Sequence, residues 1–286
     1  GGGYRLIELP DRLYPEQINR GLKTKWLAQK IVYLEETKST NQDAGRLARE
    51  GAIHGTVVIA EGQTAGRGRL GREFYSPAYQ NLYTSIVLRP SLDIAKIPTL
   101  LLTAGLAVAR TVAQTLDDPE NVEIKWPNDV LIRGLKTSGV LMELEAEESR
   151  IKSAILGIGV NLNADPTDFP EAFRARATSL AYEVGHPVDR TQFTQLLYST
   201  LEQVIDLHLE AGFEAVRSQF ESFFKMRGRK IRVAGVDGTQ IEGKTIGIAA
   251  HGALELETDS GKRVQVLAGD VTIVKNEPNQ ESDQSE

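Results

Sequence analysis

The chain has 286 residues, 41% of them hydrophobic, and sets 33 basic against 39 acidic side chains for a formal net charge of -6. That length suits one large domain plus a small one, and the acidic balance argues against a dedicated nucleic-acid binder, whose surface is broadly basic. Without cysteine there is no disulfide framework, thiol nucleophile or cysteine metal site, and the histidines (His54, His186, His208, His251) are scattered rather than spaced as ligands.

The start, GGGYRLIELPDRLYPEQ, has neither a basic n-region nor an apolar h-region. No apolar run approaches the roughly 18 to 20 residues that span a bilayer, so the chain reads as cytoplasmic with no membrane partner. Residues 1–30 form an N-terminal extension with one helix, PEQINRGLKTKWLAQK, too short for a core of its own. IVYLEE (31–36) predicts a strand, and Ser39-Thr40-Asn41 a helix cap ahead of QDAGRLARE. TVVIAEGQ (56–63) and NLYTSIVLRP (81–90) read as strands on either side of a glycine-arginine loop, and IPTLLLTAGLAVARTVAQTL (97–116) as a buried helix. VEIKWPNDVLI (122–132) is followed by a short basic turn, RGLK. SGVLMELEAE (138–147) and IKSAILGIGVNLN (151–163) then alternate as paired strands joined by the acidic turn EESR. Residues 189–224 give two helices. A sheet covered by helices accounts for this order over 31–225. From 226 to 275 short β runs separated by DG, EG, HG and SG turns predict a compact all-β module, and 276–286 an acidic, disordered tail.

Four stretches concentrate functional groups. In GRGRLGR, glycines 66, 68 and 71 alternate with Arg67, Arg69 and Arg72. Backbone N–H groups and guanidinium forks suit a phosphate or carboxylate, and three arginines on so pliant a loop can converge on one molecule. The loop is neither a P-loop nor a dinucleotide fingerprint. A phosphate or nucleotide site, a single-stranded nucleic-acid contact and a solvated loop all remain open on composition alone. In KWPND, Trp126 and Pro127 fix the end of a strand so that Lys125, Asn128 and Asp129 project, and Asp129 suits Mg²⁺ bridging phosphates; the plain alternative is an Asn-Asp turn. Lys136 in GLKTSGVLME is a solvated lysine or, beside a nucleotide, an electrophilic clamp over a reacting phosphorus, with Gly139 allowing close approach. In ILGIGVNLN, Gly157 and Gly159 thin a strand where a ligand crosses, or mark a bulge, and Asn161 suits a ribose, a phosphate or a metal-bound water.

Together GRGRLGR, KWPNDV, GLKTSGVLMEL and GIGVNLN closely resemble the biotin protein ligases, over about Val32 to Val274. The resemblance implies an α/β (α+β) fold: a mixed sheet with flanking helices, similar to the class II aminoacyl-tRNA synthetase core, followed by a small SH3-like β-barrel. It implies ATP and biotin as substrates with Mg²⁺, and as partner the biotin carboxyl carrier protein of acetyl-CoA carboxylase. By motif matching, Ser39, Thr40 and Gln63 meet the biotin ureido ring. Gly66 and Arg67 close over biotin and its adenylate, and Gly139, Leu141 and Gly157 wall the biotin site. Arg69, Arg72 and Lys125 attend the phosphates, Asp129 places Mg²⁺, and Asn128 and Asn161 lie near the adenylate. Lys136 binds the carboxylate and acts with Arg67 in catalysis. Phe74 stands where the family often has a tryptophan over adenine. With only some thirty residues before Val32, the resemblance implies a monofunctional ligase that binds no DNA, and it permits a homodimer. The rival readings are a lipoate or octanoate ligase of related fold and, from another class, a nucleic-acid-binding adaptor.

Overall fold

The computed structural model describes residues 11–90, 92–147, 150–235 and 238–274. The predicted acidic tail, residues 148–149 of the EESR turn and residues 236–237 of the DG turn lie outside them. The chain divides into two compact units, Gly1–Lys225 and Met226–Glu286.

In the first unit, seven strands form one sheet in the order β1-β2-β3-β7-β6-β5-β4. They are β1 (Ile31–Thr37), β2 (Val57–Gln63), β3 (Leu82–Leu88), β4 (Val122–Lys125), β5 (Asp129–Ile132), β6 (Leu135–Glu147) and β7 (Arg150–Val160). β1 runs parallel to β2 and every other neighbour is antiparallel, which makes the sheet mixed as expected. β2 and β3 are buried along nearly their whole length, in keeping with their Val, Ile and Leu content and helices on both sides. Successive strand residues point to opposite faces. Ser85 of β3 bonds to Asn41 in α2 (Thr40–Arg49), while its neighbour Thr84 meets Tyr198 in α6 (Arg190–Ala211), which follows the short helices α4 (Glu171–Arg174) and α5 (Leu180–Val184), so α2 and α6 cover opposite faces.

Helix α3 (Ile97–Thr115) packs against α6. With the turn before it, the helical run Ile94–Thr115 has 22 residues and is long and apolar enough to cross a membrane, which corrects the expectation that no run approaches that size. Its threonines are internally satisfied, Thr103 and Thr111 donating to the carbonyls of Thr99 and Ala107, so they do not interrupt the apolar character. Because 72% of its apolar window is buried inside the unit, it is a core helix.

The predicted helix over 15–30 is shorter, α1 (Pro15–Gly21). Beyond it the backbone N–H groups of Lys25, Trp26 and Leu27 converge on the Glu202 carboxylate of α6 at 2.7 to 2.9 Å, an arrangement a continuous helix could not offer. Upstream, Arg190 is fully buried. It donates to Glu61 Oε2 at 2.8 Å and to the Asp11 side chain and carbonyl at 3.0 and 2.7 Å, while Leu13 N–H takes Glu61 Oε1. Residues 11–28 are thus a strap held to the unit, contributing Leu13, Ile18, Leu27 and Ala28 to its core.

The second unit is a five-stranded antiparallel sheet in the order β11-β10-β9-β8-β12. Its strands are β8 (Lys230–Ala234), β9 (Gln240–Ile248), β10 (Leu254–Glu257), β11 (Arg263–Val266) and β12 (Asp270–Ile273). The EG pair expected to turn lies inside β9 instead. A Cβ on Gly243 would sit 2.7 Å from the Glu257 carbonyl, so this glycine serves close strand approach rather than reversal.

Candidate active site

The face of the sheet under α2 carries the site. The glycine-arginine stretch leaves the end of β2 and doubles back on itself. Phe74 N–H donates to Gly66 O at 2.9 Å, Arg67 bridges Glu73, and Gly68 N–H reaches Arg72 O at 2.7 Å. The tip, Arg69–Gly71, is one 3-10 turn with Leu70 at φ 56 and Gly71 at φ 72. Left-handed backbone is cheap for glycine and costly for leucine, so the tip stores strain at Leu70. At the base, a Cβ on Gly66 would lie 2.4 Å from the Phe74 carbonyl and 2.5 Å from Ser76 Oγ, so only glycine fits.

Arg67 and Arg69 do not converge. Arg67 donates to the Gln42 side-chain oxygen on α2, once that amide is turned with its oxygen toward the guanidinium. Arg69 reaches Asn128 Oδ1 at 3.3 Å on the turn between β4 and β5. Asn128 is itself fixed, its Nδ2 donating to Val140 O at 2.8 Å. In this turn, which contains a cis Trp126–Pro127 bond, buried Trp126 anchors the hairpin and Lys125 lies opposite Asp129 in register.

Three glycines share one face of the β6–β7 ladder and its neighbour, and each seats a side chain. In register, Leu141 faces Gly157, Gly139 faces Gly159, and Asp129 faces Gly139. A Cβ at Gly157 would come 2.1 Å from Asn41 Oδ1, at Gly159 2.6 Å from the Phe74 ring, and at Gly139 3.1 Å from Lys136 Nζ. The glycines expected to admit a ligand therefore admit Asn41, Phe74 and Lys136. The ladder is regular there, its irregularity falling between Glu145 and Ala146, so the alternative of a bulge at 157–161 does not hold. Lys136 Nζ lies 2.7 Å from Asp129 Oδ1 and 5.9 Å from the Phe74 ring centroid.

A buried polar chain runs beneath. Gln63 Oε1 accepts from Thr40 N–H at 2.9 Å, and Gln63 Nε2 donates to Ser76 Oγ at 3.0 Å, whose hydrogen goes to Phe74 O. Ser85 Oγ lies 2.8 Å from Thr40 Oγ1 and 2.6 Å from Asn41 Oδ1, and Asn41 Nδ2 donates to Glu143 at 2.8 Å. Ser39 is buried at the start of α2. Its carbonyl takes the Asp43 N–H while its hydroxyl makes no cap bond, so the predicted cap lies at the expected position without the expected side-chain contact.

Next to Lys136 a pocket is lined by Phe74, Tyr75, Asn161, Phe169 and Phe173. Tyr75 stands edge-on to Phe169, and Phe74 edge-on to Tyr83, whose phenol burial pushes well above its ordinary pKa. Asn161 is held by its neighbours, its Nδ2 donating to Thr178 O at 3.0 Å and its N–H to Thr137 O at 2.8 Å. The aromatic wall from residues 164–188 carried no signal in the sequence, because single phenylalanines in an irregular segment resemble ordinary core contacts.

Among the described residues no group of three or more His, Asp or Glu side chains could hold a metal ion. Asp129 offers one carboxylate, already shared with Lys136. That donor set fits Mg²⁺ held by one carboxylate together with substrate phosphates and water, the usual manner for this ion, rather than a protein cage.

Residues 33–161 match the Biotin/lipoate A/B protein ligase family, and residues 228–274 the Biotin protein ligase C terminal domain. Fold and sequence thus define the class as a biotin or lipoate protein ligase. The Bifunctional ligase/repressor BirA of Bacillus subtilis is 37% identical over 271 residues, covering 95% of this chain and 82% of its own. The Biotin--[acetyl-CoA-carboxylase] ligase of Mycobacterium tuberculosis is 33% identical over 281 residues, 93% of this chain and 98% of its own. The biotin protein ligase from Aquifex aeolicus, solved in complex with biotin and ATP, has a TM-score of 0.74 at 29% identity, covering 86% of this chain and 99% of that one. The chain belongs to the biotin protein ligase family and is a biotin ligase.

Proposed function

We propose that this enzyme joins biotin to ATP as biotinyl-5'-AMP, releasing pyrophosphate, and then transfers the biotinyl group to a lysine of the biotin carboxyl carrier protein of acetyl-CoA carboxylase. The observation that carries the proposal is the position of Lys136. Its ammonium lies beside the Asp129 carboxylate and near the Phe74 ring in the wall of the aromatic pocket, over the sheet face that also seats Asn41 of the polar chain. An aromatic pocket suits a nucleobase and a polar chain suits a cyclic urea. A cation on the face that both share suits a carboxylate attacking phosphorus.

In the first step the biotin carboxylate oxygen bonds to the α-phosphorus and the bond to the leaving pyrophosphate breaks. Lys136 orients the carboxylate and follows its charge into the five-coordinate transition state, aided by Arg67. Arg69, Arg72 and Lys125 balance the phosphates, with Asn128 holding Arg69 and Asn161 bordering the nucleotide. Mg²⁺, with Asp129 as its protein ligand, would supply charge neutralisation on the phosphates. Phe74, with Phe169 and Phe173, stacks the adenine. Ser39, Thr40 and Gln63 hydrogen-bond the ureido ring, Gly66 admits the closed loop, and Gly139, Leu141 and Gly157 shape the wall. In the second step the carrier amine attacks the acyl carbon and AMP departs. The hairpin formed by residues 66–74 covers the adenylate and keeps water from it. A homodimer formed by extending the sheet is compatible with its two edge strands, β1 and β4.

A lipoate ligase would serve a dithiolane with no N–H, for which the polar chain has no use. Biotin-dependent ATP–pyrophosphate exchange, compared with exchange driven by lipoate, tests the reading. Exchange with biotin alone is expected, and exchange with lipoate in its place would refute it.

A further inference from the structure

The chain of hydroxyls under the site has a direction, and Glu143 sets it. Asn41 is 5% exposed, Thr40 4% and Ser85 0%, so water does not intervene among them. A carboxylate only accepts hydrogen bonds, so Asn41 must turn its NH₂ toward Glu143, at 2.8 Å, and its oxygen toward Ser85, at 2.6 Å. Ser85 has one proton and gives it to that oxygen. The 2.8 Å contact between Ser85 and Thr40 must then carry the Thr40 proton. The other recipient in reach, Gln63 Oε1 at 3.2 Å, would also consume it. In either case only lone pairs remain on Thr40 Oγ1. The notch at Gly157, where Asn41 Oδ1 lies at 2.1 Å from the place of a Cβ, keeps the amide seated.

We infer that Glu143, Asn41 and Ser85 are positioning residues that force Thr40 to meet its ligand as a hydrogen-bond acceptor, so that the site selects a ligand bearing an N–H there. This rests on the proposal that biotin is the ligand and extends it: the preference for a urea over a ring without N–H is fixed by residues that do not touch the ligand. A site committed to one polarity rejects the wrong group because a buried lone pair is left facing another.

The test uses the full chain and calorimetric titration with biotin and with its two cyclic carbamate analogues, in each of which one ureido N–H is replaced by oxygen. The parent should prefer biotin over one of the analogues by roughly ten- to a hundredfold. In Asn41→Leu the Ser85 proton is released to Thr40, which can then donate. Biotin affinity should fall while that analogue is little changed, bringing the ratio to within about threefold. Glu143→Leu should act in the same direction, and it serves alone if circular dichroism shows Asn41→Leu unfolded. Glu143→Gln, whose amide oxygen still accepts from Asn41, should keep the parent ratio. Equal weakening of biotin and analogue in both leucine variants would reduce these residues to packing and overturn the inference. So would a parent that binds biotin but does not discriminate. A parent that fails to bind biotin at all overturns the functional proposal, and this inference with it.

Discussion

Replacing Gly159 by alanine should separate the two substrates. The new methyl would stand 2.6, 2.7 and 3.3 Å from three atoms of the Phe74 ring. Carbon atoms in comfortable contact are 3.5 to 4.0 Å apart, so the ring must retreat by about 1 Å. It has room to do so only toward the pocket it lines, since the carbonyl of Phe74 is bound by Ser76 and its N–H by Gly66. The ring is a side-chain end and can rotate, so the fold should tolerate the change at small cost. The nucleobase should not. Base–aromatic stacking is worth about 1 to 3 kcal/mol, or roughly 5- to 150-fold in affinity. The measurement is the initial rate of biotin-dependent pyrophosphate release with ATP varied, alongside a calorimetric titration of biotin alone. KM for ATP should rise within that range while biotin affinity stays within about twofold, because the atoms nearest the new methyl belong to Phe74 and not to Thr40, Asn41 or Gln63. Phe74→Leu should raise KM for ATP similarly, and adding Gly159→Ala to it should do little more, since both act through one ring. An unchanged KM for ATP, or an equal loss of biotin affinity, would refute Phe74 as the nucleobase platform.

Lys136→Ala should fold normally and lose pyrophosphate-forming turnover; near-parental turnover would remove Lys136 from the mechanism. Arg190→Met strips the partner from Glu61, both side chains being fully buried, and should cost about 3 to 5 kcal/mol by denaturant unfolding. Adding Glu61→Leu should recover part of that loss, and no recovery would mean that packing rather than charge sets the cost. His208 lies between Thr99 and Thr103 of α3, and burial, with Lys96 nearby, holds its imidazole below its ordinary pKa. The folded state therefore favours the neutral ring. This contribution is fully present above the unfolded pKa of about 6.5 and is lost as pH falls from there through the folded value. Unfolding midpoints measured from pH 8 to pH 5 should show that decline in the parent and a shallower one in His208→Gln; parallel curves would contradict it.

The strands around the core and the two long helices were legible because their signal is local: Val, Ile and Leu runs and a helical period. The functional motifs were legible as residue types, and their arrangement was less so. Arg67 and Arg69 stand two residues apart, yet they bond to α2 and to the β4–β5 turn, a divergence set by contacts from 25 to 59 positions away. Gly157 and Gly159 announced thin places in a strand, but only tertiary structure shows that Asn41 and Phe74 fill them. Asn41, Ser85 and Glu143 escaped for the same reason. Serine in a strand and glutamate in an alternating one resemble solvent-facing positions until the helix that covers them is in place. The helix over 15–30 was overread because its later residues pass their N–H groups to Glu202, which lies some 175 residues on.

The central claim is tested most directly by incubating the protein with Mg²⁺-ATP, isotopically labelled biotin and a biotin carboxyl carrier domain, and then mapping the label by mass spectrometry. The account predicts one labelled carrier lysine, with labelling that requires ATP and fails with Lys136→Ala. An unlabelled carrier under conditions where the folded protein also releases no biotin-dependent pyrophosphate would contradict it.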